Sequence, residues 1–274
     1  MTPICADLAA EYQALDDLAA GLDKNQWFLK TRFFNWTVFD EVAHIAFFDH
    51  EALLAIDDPA RFKARARAIM KIVLSEDNWP AHFNPMLGIT GPDELLDFWR
   101  NTRSRLVQRL QGMAPENRLP WYGPDMRAHA FAAARLMETW AHGQDIFDVL
   151  HQERNHFPRL YHVAHLGVIT FKWSFTVHGL TPPDIHPRVV LTGPGKRIWE
   201  WGEPGATEQV RGSAEDFCLV VTQRRNVADT GLKWRGRQVK KWLSMAQAFA
   251  GIPQYPPKPG SRAVVFNKKG KNHV

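Results

Sequence analysis

Apolar positions recur every three or four residues through about residue 180, the period of helices; beyond about Ile185 they alternate, the period of strands. Leu8, Tyr12, Leu15, Leu18, Ala19 and Leu22 predict a first amphipathic helix over about Asp7 to Leu22, closed by Gly21 and Asp23-Lys24-Asn25. A loop through Trp27-Phe28-Leu29 and Asn35-Trp36-Thr37 leads to a second helix, about Val38 to Ile56. Thr37 suits its N-cap, Asp40 and Glu41 suit the positive end of its dipole, and Asp57-Asp58-Pro59 closes it. Residues 59 to 90 are less readable: a basic helical piece from Arg61 to Leu74, then a loop holding Trp79-Pro80 and Asn84-Pro85. Gly91-Pro92-Asp93-Glu94 starts a third long helix, with Leu95, Leu96, Phe98, Trp99, Leu106 and Leu110 on its apolar faces. After a loop from Pro115 to Pro124, a fourth helix runs from about Met126 to Leu150. Phe131, Ala134, Ile146 and Val149 mark one side of it and Leu136, Trp140 and Phe147 the other, so it is expected to be buried on both. Leu160 to Leu180 reads as a further, very apolar helix, ended by Thr181-Pro182-Pro183.

In the second regime, Arg188-Val189-Val190-Leu191-Thr192 and Arg197-Ile198-Trp199-Glu200-Trp201 flank the turn Gly193-Pro194-Gly195-Lys196, which predicts a hairpin. Glu208 to Gly212 suits a third strand. Ala214 to Arg225 suits a helix capped by Ser213, Leu232 to Gly236 another strand, and Gln238 to Ala250 a last helix. The pattern describes a helical part of about 180 residues followed by a smaller α+β part. There is no internal repeat, no phosphate-cradling glycine loop and no GxSxG nucleophile elbow.

Chemistry concentrates on the fourth helix. In Arg135-Leu136-Met137-Glu138-Thr139-Trp140-Ala141-His142-Gly143-Gln144-Asp145, the residues Glu138 and His142 are one helical turn apart on a single face, with Asp145 just beyond. A carboxylate and an imidazole stacked in this way can grip one divalent ion, or can simply hydrogen-bond each other inside a bundle. His44, in the middle of the second helix, is either a third ligand or an ordinary core histidine; His50 points about 240° away from it. His162 and His165 also share a face, but no nearby acid completes a set, and a structural role is expected.

The two cysteines, Cys5 and Cys218, are far apart and outside any CxxC pattern, which fits a reducing cytoplasm and gives neither a disulfide framework nor a cysteine zinc site. No apolar run approaches the ~20 residues that span a bilayer, so no membrane partner is expected. Nor do the first residues carry the basic and apolar segments of a secretory signal. The net charge of +5 and pI near 9.3 raise the question of nucleic acid. The distribution answers it: from Thr230 onward there are ten Lys or Arg and no acid, which leaves 24 basic against 29 acidic residues elsewhere. A basic end such as Lys268-Lys269-Gly270-Lys271 is expected to be a solvated tail, and no nucleic-acid motif accompanies it.

Trp36-Thr37 ahead of Ala43-His44-Ile45, together with Glu138-Thr139-Trp140-Ala141-His142-Gly143-Gln144-Asp145, resembles the paired ligand motifs of the DinB-like superfamily of metal-binding four-helix proteins. The branch most similar contains mycothiol-dependent maleylpyruvate isomerase, and the resemblance spans nearly the whole chain. It implies a mixed α and α/β fold. A DinB-like four-helix bundle would occupy residues 1–183 and a small α+β sterol-carrier-type domain residues 184–256, with a basic flexible tail over 257–274. It implies His44, Glu138 and His142 as ligands of a divalent metal. An arginine of the C-terminal domain is implicated in substrate binding in that family; the matching stretch is Gln223-Arg224-Arg225-Asn226, in which Arg224 is chosen over Arg225 while the sequence leaves both open.

Two histidines and a glutamate with an open coordination position suit zinc best and also accommodate iron, nickel or manganese. Glutamate as a ligand differs from the HExxH pattern, in which it is the general base, so peptide hydrolysis is not expected. The first expectation is an enzyme whose metal holds a small thiol, such as mycothiol, bacillithiol or glutathione, as thiolate. Addition to an unsaturated carboxylate or oxo-acid would give isomerisation or S-transfer, with Arg224 or Arg225 on the carboxylate of this small-molecule substrate. The second is a thiol-free hydratase or hydrolase in which Asp145 or Asp49 handles protons. The third is a metal-stabilised protein that binds an apolar ligand, motivated by the Trp-rich hairpin and Leu160 to Leu180.

Overall fold

The structure is a computed structural model that describes residues 1–75 and 79–262. Its long helices are α1 (Thr2–Ala20), α2 (Val38–Asp57), α5 (Pro92–Gln111) and α6 (Ala128–Val149), with α3 (Pro59–Ser75) and α4 (Trp79–Leu87) between the second and third of these. α1 packs on α5 and α6, and α2 packs on the same two, so the four close into a ring around a shared core. α1 begins at Thr2 rather than near Asp7, because Pro3 in the first turn has no N–H for the helix to leave unpaired. α2 opens as expected: the Thr37 side chain accepts from the Asp40 N–H while the Asp40 carboxylate accepts from the Thr37 N–H, a capping box.

Four sequence expectations are corrected. The segment around Pro80 and Pro85 is helical, not a loop: Pro80 stands in the first turn, where its missing N–H costs nothing, and the helix ends at Leu87, ahead of Gly88 with φ 66°. α6 starts at Ala128, because Met126–Arg127 is a short strand (β2) paired antiparallel with Arg118–Leu119 (β1). The expected helix over Leu160 to Leu180 breaks at Thr170 into α7 (Leu160–Ile169) and α8 (Phe171–Val177); the Thr170 hydroxyl donates to the Leu166 carbonyl and competes with the backbone ladder. The last helix ends at Leu243, and residues 244–250 turn back to place the Ala248 N–H on the Val221 carbonyl.

The strands β3 (Arg188–Thr192), β4 (Ile198–Trp201), β5 (Gln209–Ser213) and β6 (Lys233–Arg235) form one mixed sheet in the order β4-β3-β5-β6. β3 and β4 are the expected hairpin, with Val190 opposite Glu200; its turn uses φ 68° at Gly195. β3 and β5 are parallel, and β6 is antiparallel to β5. Ser213 caps α9 (Ala214–Val221), which packs on this sheet and on α7, so it joins the sheet to the helices. α10 (Arg237–Leu243) follows β6. α9 is four residues shorter than expected, because Gln223 adopts the left-handed conformation at φ 59° and reverses the chain.

Residues 257–262, expected as the start of a flexible tail, are tied to the body. Asn226 Nδ2 donates to the Pro257 carbonyl, the Gly260 N–H to the Asp229 carboxylate and Arg262 Nη1 to the Gln223 carbonyl. The basic stretch Lys268-Lys269-Gly270-Lys271 lies outside the described residues. Both cysteines are buried and free, and among the described residues no helix is long and apolar enough to cross a membrane.

Candidate metal and ligand site

α2 and α6 lie antiparallel, and three polar rungs connect them. Glu41 reaches His142, His44 reaches Glu138, and Asp49 reaches Arg135. The middle rung is the candidate centre. Nε2 of His44 lies 3.8 Å from Glu138 Oε2, and Nε2 of His142 lies 3.4 Å from the same oxygen. His44, Glu138 and His142 each offer one ligand atom, and these three atoms lie within 4.8 Å of one another. The bond that would compete for His142 is made by its other nitrogen: Nδ1 is 2.6 Å from Glu41 Oε2, which leaves Nε2 to the centre.

Electrostatics favour a cation here. Burial lowers the pKa of His44, and burial together with His44 and Arg224 lowers that of His142 well below the ordinary value, so both rings present lone pairs. For Glu138, burial pushes the pKa up, but the two histidines outweigh it and hold the carboxyl well below the usual range. Two neutral imidazole nitrogens around one carboxylate oxygen fit a divalent ion of the zinc class. A second group, Glu41, His142 and Asp145, is equally close but fully buried, and its atoms are engaged: Thr31 Oγ1 donates to Glu41 and Arg224 Nε to Asp145. Burial first, and then the Asp145 carboxylate, raise the pKa of Glu41 well above its usual value.

The centre opens into a cavity of about 440 Å³. Residues 30–37 form one wall: the Thr31 N–H donates to the Trp36 carbonyl, and Phe34 and Asn35 take positive φ of 51° and 57°, rare for a phenylalanine. This tight loop stacks Trp36 on His142, with ring centroids 5.8 Å apart and 10° between planes, and sets Phe33 edge-on to the same imidazole at 5.2 Å. Phe48, one turn after His44, covers that ring at 4.7 Å. A smaller cavity of about 240 Å³, lined in part by Leu166 and Trp173, shares Trp121, Arg135, Glu138, Phe249 and Ala250 with the larger one.

Arg224 and Arg225 go different ways. Arg224 lines the large cavity, donates from Nε to Asp145 at 2.9 Å and from Nη1 to the Thr222 carbonyl, and leaves its buried Nη2 without a hydrogen bond. Arg225 pairs with Asp148 and does not line the cavity. Asp49 accepts from Tyr12, Trp99 and Arg135 and is fully buried away from the cavity. His162 pairs with Asp7, and His165 accepts from Trp201 Nε1. Trp199 and Trp201 pack around Tyr161 and line neither cavity. Sequence reasoning missed Glu41 as a partner of His142, Phe33 as a wall, and Arg262, which enters the large cavity from the end of the chain. Glu41 carried a usable signal, since it lies one turn before His44 on the same helix.

A sequence model of the family described as "Mycothiol maleylpyruvate isomerase N-terminal domain" matches residues 8–147, which include all three candidate ligands. Two proteins of Mycobacterium tuberculosis, from strains CDC 1551 / Oshkosh and H37Rv and both described as uncharacterized, are each 41% identical over 251 residues, 92% of this chain and 96% of theirs. In fold, the chain is similar to the crystal structure of the mycothiol-dependent maleylpyruvate isomerase, with a TM-score of 0.52 and 12% identity over 80% of this chain and 87% of that one. A mutant of that enzyme gives a TM-score of 0.51 and 13% identity over the same shares. With half its length matched by that model, the chain belongs to the mycothiol maleylpyruvate isomerase N-terminal domain family.

Proposed function

We propose that this protein is a metal-dependent enzyme in which His44, Glu138 and His142 hold a divalent cation, zinc for preference, beside a cavity that takes a small thiol and an unsaturated carboxylate or oxo-acid. The observation that carries this reading is the convergence of both imidazole Nε2 atoms on Glu138 Oε2 at the wall of a cavity that also holds Arg224. When bound there, a divalent cation supplies the positive charge that makes a coordinated thiol a thiolate at neutral pH, the nucleophile for isomerisation or S-transfer. Family membership supports the thiol, and the donor set supports the metal. The helical ring corresponds on this reading to the DinB-like bundle, and the β3–β6 sheet with α9 and α10 to the sterol-carrier-type domain.

The chain's own residues then have distinct tasks. Glu41 holds the His142 ring by Nδ1. Trp36, Phe33 and Phe48 pack against the imidazoles and cover part of their faces, which lowers the local polarity and strengthens charge interactions beside them. Arg224 offers Nη2 to a substrate carboxylate, its other nitrogens already fixed by Asp145 and Thr222. The thiol-free alternative needs Asp49 or Asp145 to move protons, and neither lines the cavity; each is held by an arginine.

Elemental analysis of the purified chain beside the His44→Ala and His142→Ala variants tests the metal. Stoichiometric zinc in the parent and its loss in both variants is expected. Turnover of unsaturated oxo-acids with mycothiol, bacillithiol and glutathione tests the rest. Activity that survives removal of every small thiol would transfer the case to a hydratase or hydrolase.

A further inference from the structure

Arg262, far beyond the three candidate metal ligands in sequence, lines the same large cavity. Its Nη1 donates to the Gln223 carbonyl at 3.0 Å, and its guanidinium carbon lies 5.0 Å from the Phe33 ring centre and 5.6 Å from that of Phe34. Arg224 lies 4.4 Å from the same Phe33 ring, so two guanidinium groups gather on one aromatic side chain. Their counter-charges differ. Arg224 has Asp145 at 2.9 Å, and Arg135, the third arginine of the cavity, has Asp49 at 2.8 Å. Among the described residues Arg262 has no carboxylate at ion-pair distance; Asp145 and Glu41 act on it only from further away. Burial works against its charge. A partly buried guanidinium, fixed by one carbonyl and two rings and short of a counter-charge, is a receptor for an anion.

The remaining walls say what the anion is attached to. Trp36, Phe48, Ile69, Trp121, Phe249 and Ile252 are apolar, four of them aromatic, and they line the space shared by Arg262 and Glu138. Such walls favour a planar apolar body beside the carboxylate over a strongly hydrated one, whose desolvation they would not offset. We propose that Arg262 is the specificity-determining residue of this cavity, and that the substrate it selects is an apolar, ring-bearing monocarboxylate. The assignment rests on the reading of the cavity as a substrate site. Arg262 carries the counter-charge for the carboxylate, and Arg224 Nη2 adds a second donor.

Calorimetric binding to the full chain, with trans-cinnamate, cinnamyl alcohol and fumarate as probes, tests this. Cinnamate is expected to bind at least about tenfold more tightly than either of the others, the worth of one charge-assisted pair. Arg262→Gln should bring cinnamate down to the affinity of cinnamyl alcohol and leave the alcohol unchanged, and Arg262→Lys should keep most of the preference. Arg225→Gln, outside the cavity, should change none of the three. If Arg262→Gln loses its native melting transition, Arg262→Met takes its place in the comparison. Fumarate binding as tightly as cinnamate, a preference that persists without the guanidinium, or no cinnamate binding by the parent chain would each overturn the proposal. The enzymatic reading fails separately: a chain without metal or thiol-dependent turnover can still show the Arg262-dependent preference, and a zinc-loaded, thiol-active chain can lack it.

Discussion

Asp49 on α2 and Arg135 on α6 meet at 2.8 Å, and this buried ion pair sets the register in which His44 arrives beside Glu138. Asp49 also accepts from Tyr12 of α1 at 2.6 Å and from Trp99 of α5 at 2.9 Å, so a single carboxylate pins all four helices of the ring. Removing it would leave a buried guanidinium, a phenol and an indole N–H unpaired. Asp49→Ala is therefore expected to lower stability by about 3–5 kcal/mol, read as a fall in the urea midpoint. An unchanged midpoint would mean that helix packing alone holds the register.

On the proposed reading of His44, Glu138 and His142 as metal ligands, the contact of Glu41 with His142 Nδ1 predicts a second effect, visible in metal affinity. Partners of this kind fix ring orientation, and their loss typically weakens metal binding by about 10–100-fold. Glu41→Leu should show that loss in a competition titration with a chromophoric chelator. Glu41→Gln, which keeps a hydrogen-bonding group of the same length, should lose less.

Glu51 gives a pH signature separate from the site. Burial raises its pKa, but His50 at 3.8 Å and the hydrogen bonds from Arg65 and Tyr122 outweigh that, and the folded-state value lies below the ordinary one. A depressed carboxyl pKa contributes stability that is present above the unfolded-state value of about 4.3 and is lost as pH falls through the lower folded value. The parent chain should lose more stability than Glu51→Gln on going from neutral pH to about pH 3. Parallel pH–stability curves for the two would refute this.

At Gly167, on α7, an added Cβ would stand 2.7 Å from Val221 Cγ2 and 2.9 Å from a Phe217 ring carbon, both on α9. Gly167→Ala should therefore cost about 1–3 kcal/mol by overpacking the contact that joins helices to sheet. Val221→Ala in the same chain should restore part of it, measured as the difference between the single and double variants in thermal unfolding.

Much of this molecule is readable from neighbouring residues alone. The spacing of Leu8, Tyr12, Leu15 and Ala19, the capping box at Thr37 and Asp40, and the Gly193–Lys196 turn each encode an element locally, because helical and strand periods and turn conformations are properties of a few consecutive residues. The Glu138/His142 pair is legible for the same reason. Its partner His44 is a ligand or a core histidine on local grounds and is singled out only by the resemblance, since no local rule brings residue 44 to residue 138.

That meeting, and the contributions of Glu41, Phe33 and Arg262, belong to tertiary structure. Glu41 reads from sequence as a helix-dipole charge and turns inward only because the antiparallel register, pinned at Asp49 and Arg135, brings His142 above it. Arg262 reads as part of a basic tail and reaches the cavity because Gln223, in a left-handed turn, offers its carbonyl there. Short-range sequence specifies which backbone conformations are cheap. Which distant side chains share a cavity is decided by how the apolar faces bury one another and by where the buried polar groups find partners.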